Sequence, residues 1–287
     1  MPIITLITDY GTKDHYVGVL KGVIYSVINN CKIVDLSHEI ESYNVLEAKF
    51  CIENSYKYFP NNSFHCILVD DKTNYFTNYI LAYANNHYFL STNTGIIYNI
   101  LKTDENAKVI TVGNLQYEKD LFTILRKSLS VLNNFKIDDL GKSPDVLKHV
   151  YTLDISVNEN QIKGYIVYID ANGACITNIS KAVFEENLKN RKFEIMFKHK
   201  KLNRIHNSYT DFIVSKNKPL KEFEGDYLAL FNEKCKMWLL LIGYKPIFNI
   251  FSNSNFFSLL IGISSLSKSM LFVLKLEILS KLTIKDL

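Results

Sequence analysis

Arginine is nearly absent from this chain. Its 287 residues include only Arg126, Arg191 and Arg204, and the lysines are spread along the sequence rather than gathered into a patch. With a formal net charge of +4 there is no basic face of the kind that grips a nucleic-acid backbone, so nucleic acid is not an expected partner. Paired cysteines are lacking too. Cys31, Cys51, Cys66, Cys175 and Cys235 are odd in number and none has CxxC spacing. They read as reduced thiols, mostly buried as small hydrophobes. No basic segment followed by a long apolar core opens the chain, so a cytoplasmic location is expected rather than export. No apolar run is long and unbroken. The most lipid-like stretch, Phe256 to Leu274, holds Lys268 and several serines, and terminal strands are expected there rather than a membrane helix.

Phosphate and metal motifs are missing as well. Gly11 and Gly18 do not complete a GxGxxG or a Walker loop, so dinucleotide redox chemistry and NTP hydrolysis lack their usual signs. There is no HExxH and no GxSxG, and the seven histidines are scattered. Asp35 and His38 lie three apart, but two ligands do not make a metal site. The expected role of His38 is hydrogen bonding within a strand-end loop. Neither a metal nor a cofactor is expected.

What is present is an ordinary globular composition, 47% apolar and 22% charged, and a length sufficient for two domains. The opening stretch organises the rest. Ile3 to Thr8 reads as a buried strand, Asp9-Tyr10-Gly11 as a tight turn, and a helical pattern follows from Asp14 to Asn29. Gly18 and Gly22, four apart on that helix, suggest close helix–strand packing. The phrase recurs, since Ile33-Val34-Asp35, Leu68-Val69-Asp70 and Ile169-Asp170 are apolar runs ending in aspartate. Carboxylates are costly inside a sheet but sit readily at its rim. Asp9, Asp35 and Asp70 are therefore expected along one edge, at the carboxyl ends of parallel strands, where open α/β sheets bind ligands. There they can grip sugar hydroxyls or an ammonium group, or simply solvate the rim.

Further along, Ser42 is the expected cap of a helix from about Asn44 to Tyr58, and Ser63 to Val69 is a third strand. Strand, helix, strand, helix, strand argues a parallel sheet. Asn85-Asn86 marks a hairpin between Tyr79–Ala84 and His87–Ser91, with a short helix at Gly95 to Leu101, a strand at Val109 to Val112 and a helix at Asp120 to Asn133. From Lys136 to Lys148 the sequence turns polar, which places a domain boundary there. The expectation is an α/β substrate-binding domain over residues 1–140 and an all-β, barrel-like domain over 149–287. Strands are expected at Val150–Ile155, Gly164–Asp170, Ala174–Ile179, Lys192–Phe197, Tyr227–Phe231 and Met237–Ile242, with no internal repeat.

At this level of detail the residues resemble a known family. Thr8-Asp9-Tyr10-Gly11, then Asp14, Tyr16-Val17-Gly18 and Lys21-Gly22, is similar to the opening signature of the S-adenosyl-L-methionine (SAM) hydroxide adenosyltransferases, relatives of the fluorinases and chlorinases. Ile33 to Ile40 resembles their second signature, and Phe59-Pro60 with Leu68-Val69-Asp70 the third. Gly164 to Asp170 with Thr177-Asn178-Ile179, and Leu228 to Asn232, resemble signatures of their second domain. The likeness runs in order over roughly residues 1 to 245.

The resemblance implies a homotrimer and a small-molecule substrate, SAM, split into adenosine and L-methionine by water attacking the ribose 5′ carbon, with no metal or cofactor. It implies that Asp9 grips the ribose hydroxyls, that Asp14, His15 and Tyr16 lie near the methionine end, and that Asp170 meets the methionine ammonium. Asn232 belongs to the late signature and is carried over as substrate-binding. Asp70 is the implied catalytic residue, the aspartate of a water-handling Asp-Arg-His set. The arginine position falls on Thr77 and the histidine position on Tyr117. The adenine-facing asparagine reads Ala174, and the Asp-Asn before the glycine reads Asn93-Thr94. Lys72 or Lys119 is a candidate for the missing positive charge, and Tyr117 for a hydrogen bond to the water. Two readings follow: a SAM hydrolase with an altered water site, or a binding protein that holds SAM or adenosine without cleaving it. A halogenating enzyme is disfavoured, because Asp70 would repel an anion there.

Overall fold

The computed structural model describes residues 1–70, 78–114, 120–150, 154–170, 174–189, 191–197, 200–208, 210–212, 227–231, 236–241, 257–264 and 277–278. The chain divides into two compact units, Met1–Thr152 and Leu153–Leu287.

The first unit is built on a six-stranded sheet. Strands β1 (Ile3–Thr8), β2 (Lys32–Ser37), β3 (Phe64–Leu68), β4 (Asn78–Ala84), β5 (His87–Thr92) and β6 (Lys108–Asn114) stand in the order β2-β1-β3-β5-β4-β6. Pairing is parallel from β2 through β1 and β3 to β5, with β4 antiparallel to both neighbours. Five strands therefore end at one edge, and β4 begins there. The β4–β5 hairpin turns on Asn85 and Asn86 with φ of 49° and 63°, the left-handed pair that a two-residue turn requires.

Alternation along the strands sends side chains to two cores. Ile4 and Leu6 of β1 meet helix α1 (Tyr16–Val27) on one face, while Ile7 meets helix α2 (Val45–Ser55) on the other. Helix α3 (Tyr98–Lys102) joins the α2 face and α4 (Leu121–Leu129) the α1 face. Helix α1 forms because Val17, Leu20 and Ile24 recur on one stripe and are buried. Asp120 caps α4 by accepting from the Thr123 amide at 2.7 Å. The cap of α2 is Asn44, whose side chain accepts from the Glu47 amide at 3.1 Å; Ser42 lies too early, because Tyr43 takes a left-handed φ of 64° before the helix begins.

Gly18 and Gly22 do not mediate close helix–strand packing. Both are exposed, and a Cβ on either would meet nothing within 4 Å. The stripe that packs on the sheet is the neighbouring one, carried by Val17, Leu20 and Ile24.

The polar stretch after Lys136 packs on the first unit. The Thr111 amide donates to the Lys142 carbonyl at 2.7 Å, and Leu147 joins the α2-side core. Asn93 donates to the Val146 carbonyl at 2.8 Å and accepts from the Lys148 amide at 3.0 Å. Gly95 has a φ of 96°, and a Cβ there would overlap the backbone of His149 and Val150.

The second unit is antiparallel. Among the described residues it holds β7 (Ser156–Asn158), β8 (Gln161–Ile169), β9 (Cys175–Ser180), β10 (Lys192–Phe197), β11 (Lys200–Leu202), β12 (Tyr227–Phe231), β13 (Lys236–Leu241), β14 (Phe257–Ser264) and β15 (Glu277–Ile278) in one sheet. It is not free of helix: α5 (Lys181–Leu188) starts where Ser180 accepts from the Val183 amide at 3.2 Å. Among the described residues no helix is long and apolar enough to cross a membrane.

Candidate active site

The rim where β2, β1, β3, β5 and β6 end collects the polar groups of the first unit. Asp9 follows β1, His38 follows β2, Asp70 lies just past β3, and Asn93 follows β5. The turn carrying Asp9 is tied down at several points. Its amides at Tyr10 and Gly11 donate to Thr8 Oγ1 (3.3 Å) and to the His38 carbonyl (2.7 Å). Gly11 has a φ of 67°, a conformation that glycine adopts without penalty. The Asp9 carboxylate itself accepts from the Tyr43 amide at 3.0 Å.

Asp70 is held through its neighbour. The Thr92 hydroxyl donates to the Val69 carbonyl at 2.8 Å and lies 3.0 Å from the Thr94 hydroxyl. Two tyrosines, Tyr79 buried and Tyr10 partly buried, lie near the carboxylates. Tyr79, the second residue of β4, is 5% exposed, and burial, then Tyr10, Asp70, Cys66 and Asp9 all push its phenol up. Burial, then Cys66 and Asp9, do the same for Tyr10. Asp9 thus acts on both phenols and Asp70 on that of Tyr79. Carboxylates and hydroxyls at a sheet rim can hold a polyol and orient a water.

Asp14, His15 and Tyr16 are exposed, on the turn and at the start of α1. The Tyr16 ring stacks on His15 at 4.5 Å and meets Tyr10 edge-on at 6.3 Å, which links them to the Asp9 turn. Asp170 stands at the end of β8 in the second unit. It accepts from the Ala174 amide at 2.8 Å, just ahead of β9. Asn232 lies outside the described residues, as do Lys72, Thr77, Tyr117 and Lys119.

Asp35 is not a strand-end carboxylate. It pairs with Leu6 inside β2, which runs on through Leu36 and Ser37 along the sheet edge. Its oxygens meet Lys21 Nζ at 2.6 Å and His38 Nε2 at 3.1 Å. Burial raises its carboxyl, but Lys21 and His38 outweigh that and hold it below the usual range. His38 Nδ1 meets the Thr8 hydroxyl at 2.8 Å. The His38 ring is thus tied to the turn through Nδ1, with Nε2 beside Asp35. No group of three or more His, Cys, Asp and Glu is gathered in metal-holding fashion among the described residues.

Sequence reasoning missed Tyr10 and Tyr79. The signal for Tyr79 was the Asn85-Asn86 hairpin, which turns β4 against β5 and brings its first residues to the rim.

The same segments match known proteins. The SAM hydroxide adenosyltransferase N-terminal domain matches residues 4–130, and the C-terminal domain of that family matches residues 164–239. The chain belongs to the SAM hydroxide adenosyltransferase family. Asp9, Asp14, His15, Tyr16 and Asp70 fall in the first matched segment of this adenosyltransferase-family chain, and Asp170 and Asn232 in the second. It is 25% identical over 193 residues to the (R)-S-adenosyl-L-methionine hydrolase of Methanocaldococcus jannaschii, covering 63% of this chain and 68% of that protein. It is 34% identical over 62 residues to the fluorinase of Actinopolyspora mzabensis, a match covering 22% of this chain and 21% of that one. An uncharacterized conserved protein from Thermotoga maritima shares the fold with a TM-score of 0.67 at 19% identity, over 91% of this chain and 99% of its own. A conserved hypothetical protein from Thermus thermophilus does so with a TM-score of 0.64 at 14% identity, over 92% and 99%.

Proposed function

We propose that this protein hydrolyses SAM to adenosine and L-methionine. Water attacks the ribose 5′ carbon as the C–S bond breaks. The sulfonium takes the bonding pair and leaves as the neutral thioether of methionine, and the water loses a proton. The leaving group is activated by its own positive charge, so the protein's task is to hold the ribose, place one water in line and exclude others. Asp9 grips the ribose hydroxyls and Asp70 accepts the proton of the attacking water. Asp14, His15 and Tyr16 serve the methionine end, with Asp170 facing its ammonium and Asn232 completing the substrate contacts. The reaction needs no metal and no cofactor. The working form is a cytoplasmic homotrimer, and neither nucleic acid nor membrane takes part.

The observation that carries the reading is the match to both domains of the family, with Asp9 and Asp70 on one rim of the first unit. Thr77 and Tyr117 in place of the family's arginine and histidine favour a second reading, a protein of this family that holds SAM or adenosine without turnover. One assay separates them. Purified protein is incubated with SAM, and adenosine and methionine are followed by mass spectrometry beside Asp70→Ala. Hydrolysis requires both products from the native protein and their loss in the variant. Bound but intact SAM supports the second reading.

A further inference from the structure

Beneath the Asp9 turn runs a chain of polar contacts that touches no ligand-facing group directly. It starts in solvent at Lys21, passes through Asp35 and reaches two side chains with no access to water. Thr8 is 0% exposed and His38 is 4% exposed. Such groups are as a rule hydrogen-bonded in a core. The contacts, in order, are Lys21 Nζ to Asp35 Oδ2 at 2.6 Å, Asp35 Oδ1 to His38 Nε2 at 3.1 Å, and His38 Nδ1 to Thr8 Oγ1 at 2.8 Å. The last link is the Tyr10 amide on Thr8 Oγ1 at 3.3 Å.

Tyr10 N–H donates to Thr8 Oγ1, which lies within hydrogen-bond distance of His38 Nδ1, while His38 Nε2 stands beside Asp35 Oδ1 without hydrogen-bond geometry. Lys21 donates to the other Asp35 oxygen. The contacts run from the turn toward the Asp35 carboxylate, which lies beside the His38 ring. His38 also holds the turn a second time, because its carbonyl accepts from the Gly11 amide at 2.7 Å. The two amides fixed in this way, Tyr10 and Gly11, directly follow Asp9.

We propose that His38 is a positioning residue for Asp9, acting through Thr8 and the Gly11 amide, with Asp35 beside its ring. The carboxylate of Asp9 is then fixed from two directions. Its backbone is set by His38, and its side chain by the Tyr43 amide at 3.0 Å. A turn with a left-handed glycine has neighbouring conformations close in energy, and these contacts select one. Small displacements of a gripping group cost binding steeply, which is why such a residue is worth burying. The inference rests on the reading of Asp9 as a ligand-gripping residue.

The test uses Thr8→Val, which removes the hydroxyl at equal size, and Thr8→Ser, which restores it; His38→Ala is the harsher companion and need not fold for the test to work. Binding of SAM and of adenosine is measured by calorimetry in the native protein, in each variant and in the Asp9→Ala background. Thr8→Val is expected to weaken binding about tenfold, Thr8→Ser to recover it, and Thr8→Val to add nothing once Asp9 is alanine. Equal losses in both backgrounds overturn the inference. Amide exchange reads the turn with no ligand present. Gly11 and Tyr43 are expected to exchange faster in Thr8→Val while the β3 amides keep their rate. Unchanged turn amides, or acceleration everywhere, also overturn it. A native protein that binds neither SAM nor adenosine overturns the functional reading instead, and exchange at Gly11 and Tyr43 still decides whether His38 fixes the turn.

Discussion

Asp9 and Asp70 owe their placement to a single rule of sequence: an apolar strand that ends in a carboxylate puts the charge where the sheet stops. Both are in that position, and the rule read them from the sequence alone. It failed for Asp35, because an edge strand with one open side tolerates a carboxylate within its length. Asp9→Ala is expected to weaken SAM binding by about ten- to a hundredfold, the loss for a hydrogen-bonding charged partner. Titration calorimetry checks it, and unchanged affinity would mean the ligand sits elsewhere. A second residue-scale consequence concerns His65 and His87. His65 Nδ1 meets the Thr5 hydroxyl at 2.7 Å, and its Nε2 meets His87 Nδ1 at 3.2 Å, all in the core. Burial, with His87 beside it, lowers His65 to about 3, and burial lowers His87 as well. The folded chain thus resists protons that the unfolded chain accepts. Stability is full above the ordinary histidine value near 6.5 and is lost as pH falls from there toward about 3. Urea midpoints at about pH 7 and about pH 4.5 are expected to differ in that sense, and His65→Gln to flatten the difference.

At the scale of elements, helices with a clear apolar stripe and a capping side chain were legible. Helices α1 and α4 lie close to their expected spans, since Val17, Leu20 and Ile24 and the Asp120 cap act locally. Helix α5 was not legible, because its eight residues bury only Phe184 and carry no repeating stripe. Strand β4 was legible as a strand, but its place between β5 and β6 depends on sheet order, which no local pattern encodes. Tyr79 escaped notice for the same reason. The open face of α1 gives a further prediction. Gly18 and Gly22 carry the backbone entropy of glycine with no neighbour to justify it in the isolated chain. Gly18→Ala is expected to raise stability by about 0.5–1 kcal/mol, seen as a higher melting temperature at low protein concentration. A lower melting temperature would show that something packs against this face.

At the scale of the whole molecule, composition bounded the answer more than it specified it. It allowed two units and placed strands late in the chain. The matches to the N- and C-terminal domains of one family then assigned both to it. The stretch near residue 140 looked like a boundary because it is polar, yet its bonds are made by backbone groups and by Asn93, which hydropathy does not register. A first unit ended after Leu140 is therefore expected to melt several degrees below one ended after Val150, the latter keeping the contacts of Asn93 and Gly95. Differential scanning calorimetry on the two fragments checks it, and equal transitions would show that the strap adds nothing.

That strap also sets a timetable. Asn93 and Gly95 leave β5 early in the chain, but the groups that satisfy the one and fill the space beside the other come from residues 146–150. On the ribosome the sheet can assemble as soon as β6 has emerged, yet the loop that follows β5 stays unfinished until residues 146–150 have been synthesised. During that interval the nascent chain owns a nearly complete sheet with an incomplete rim. The loop that follows β5 is thus completed only after the sheet it leaves.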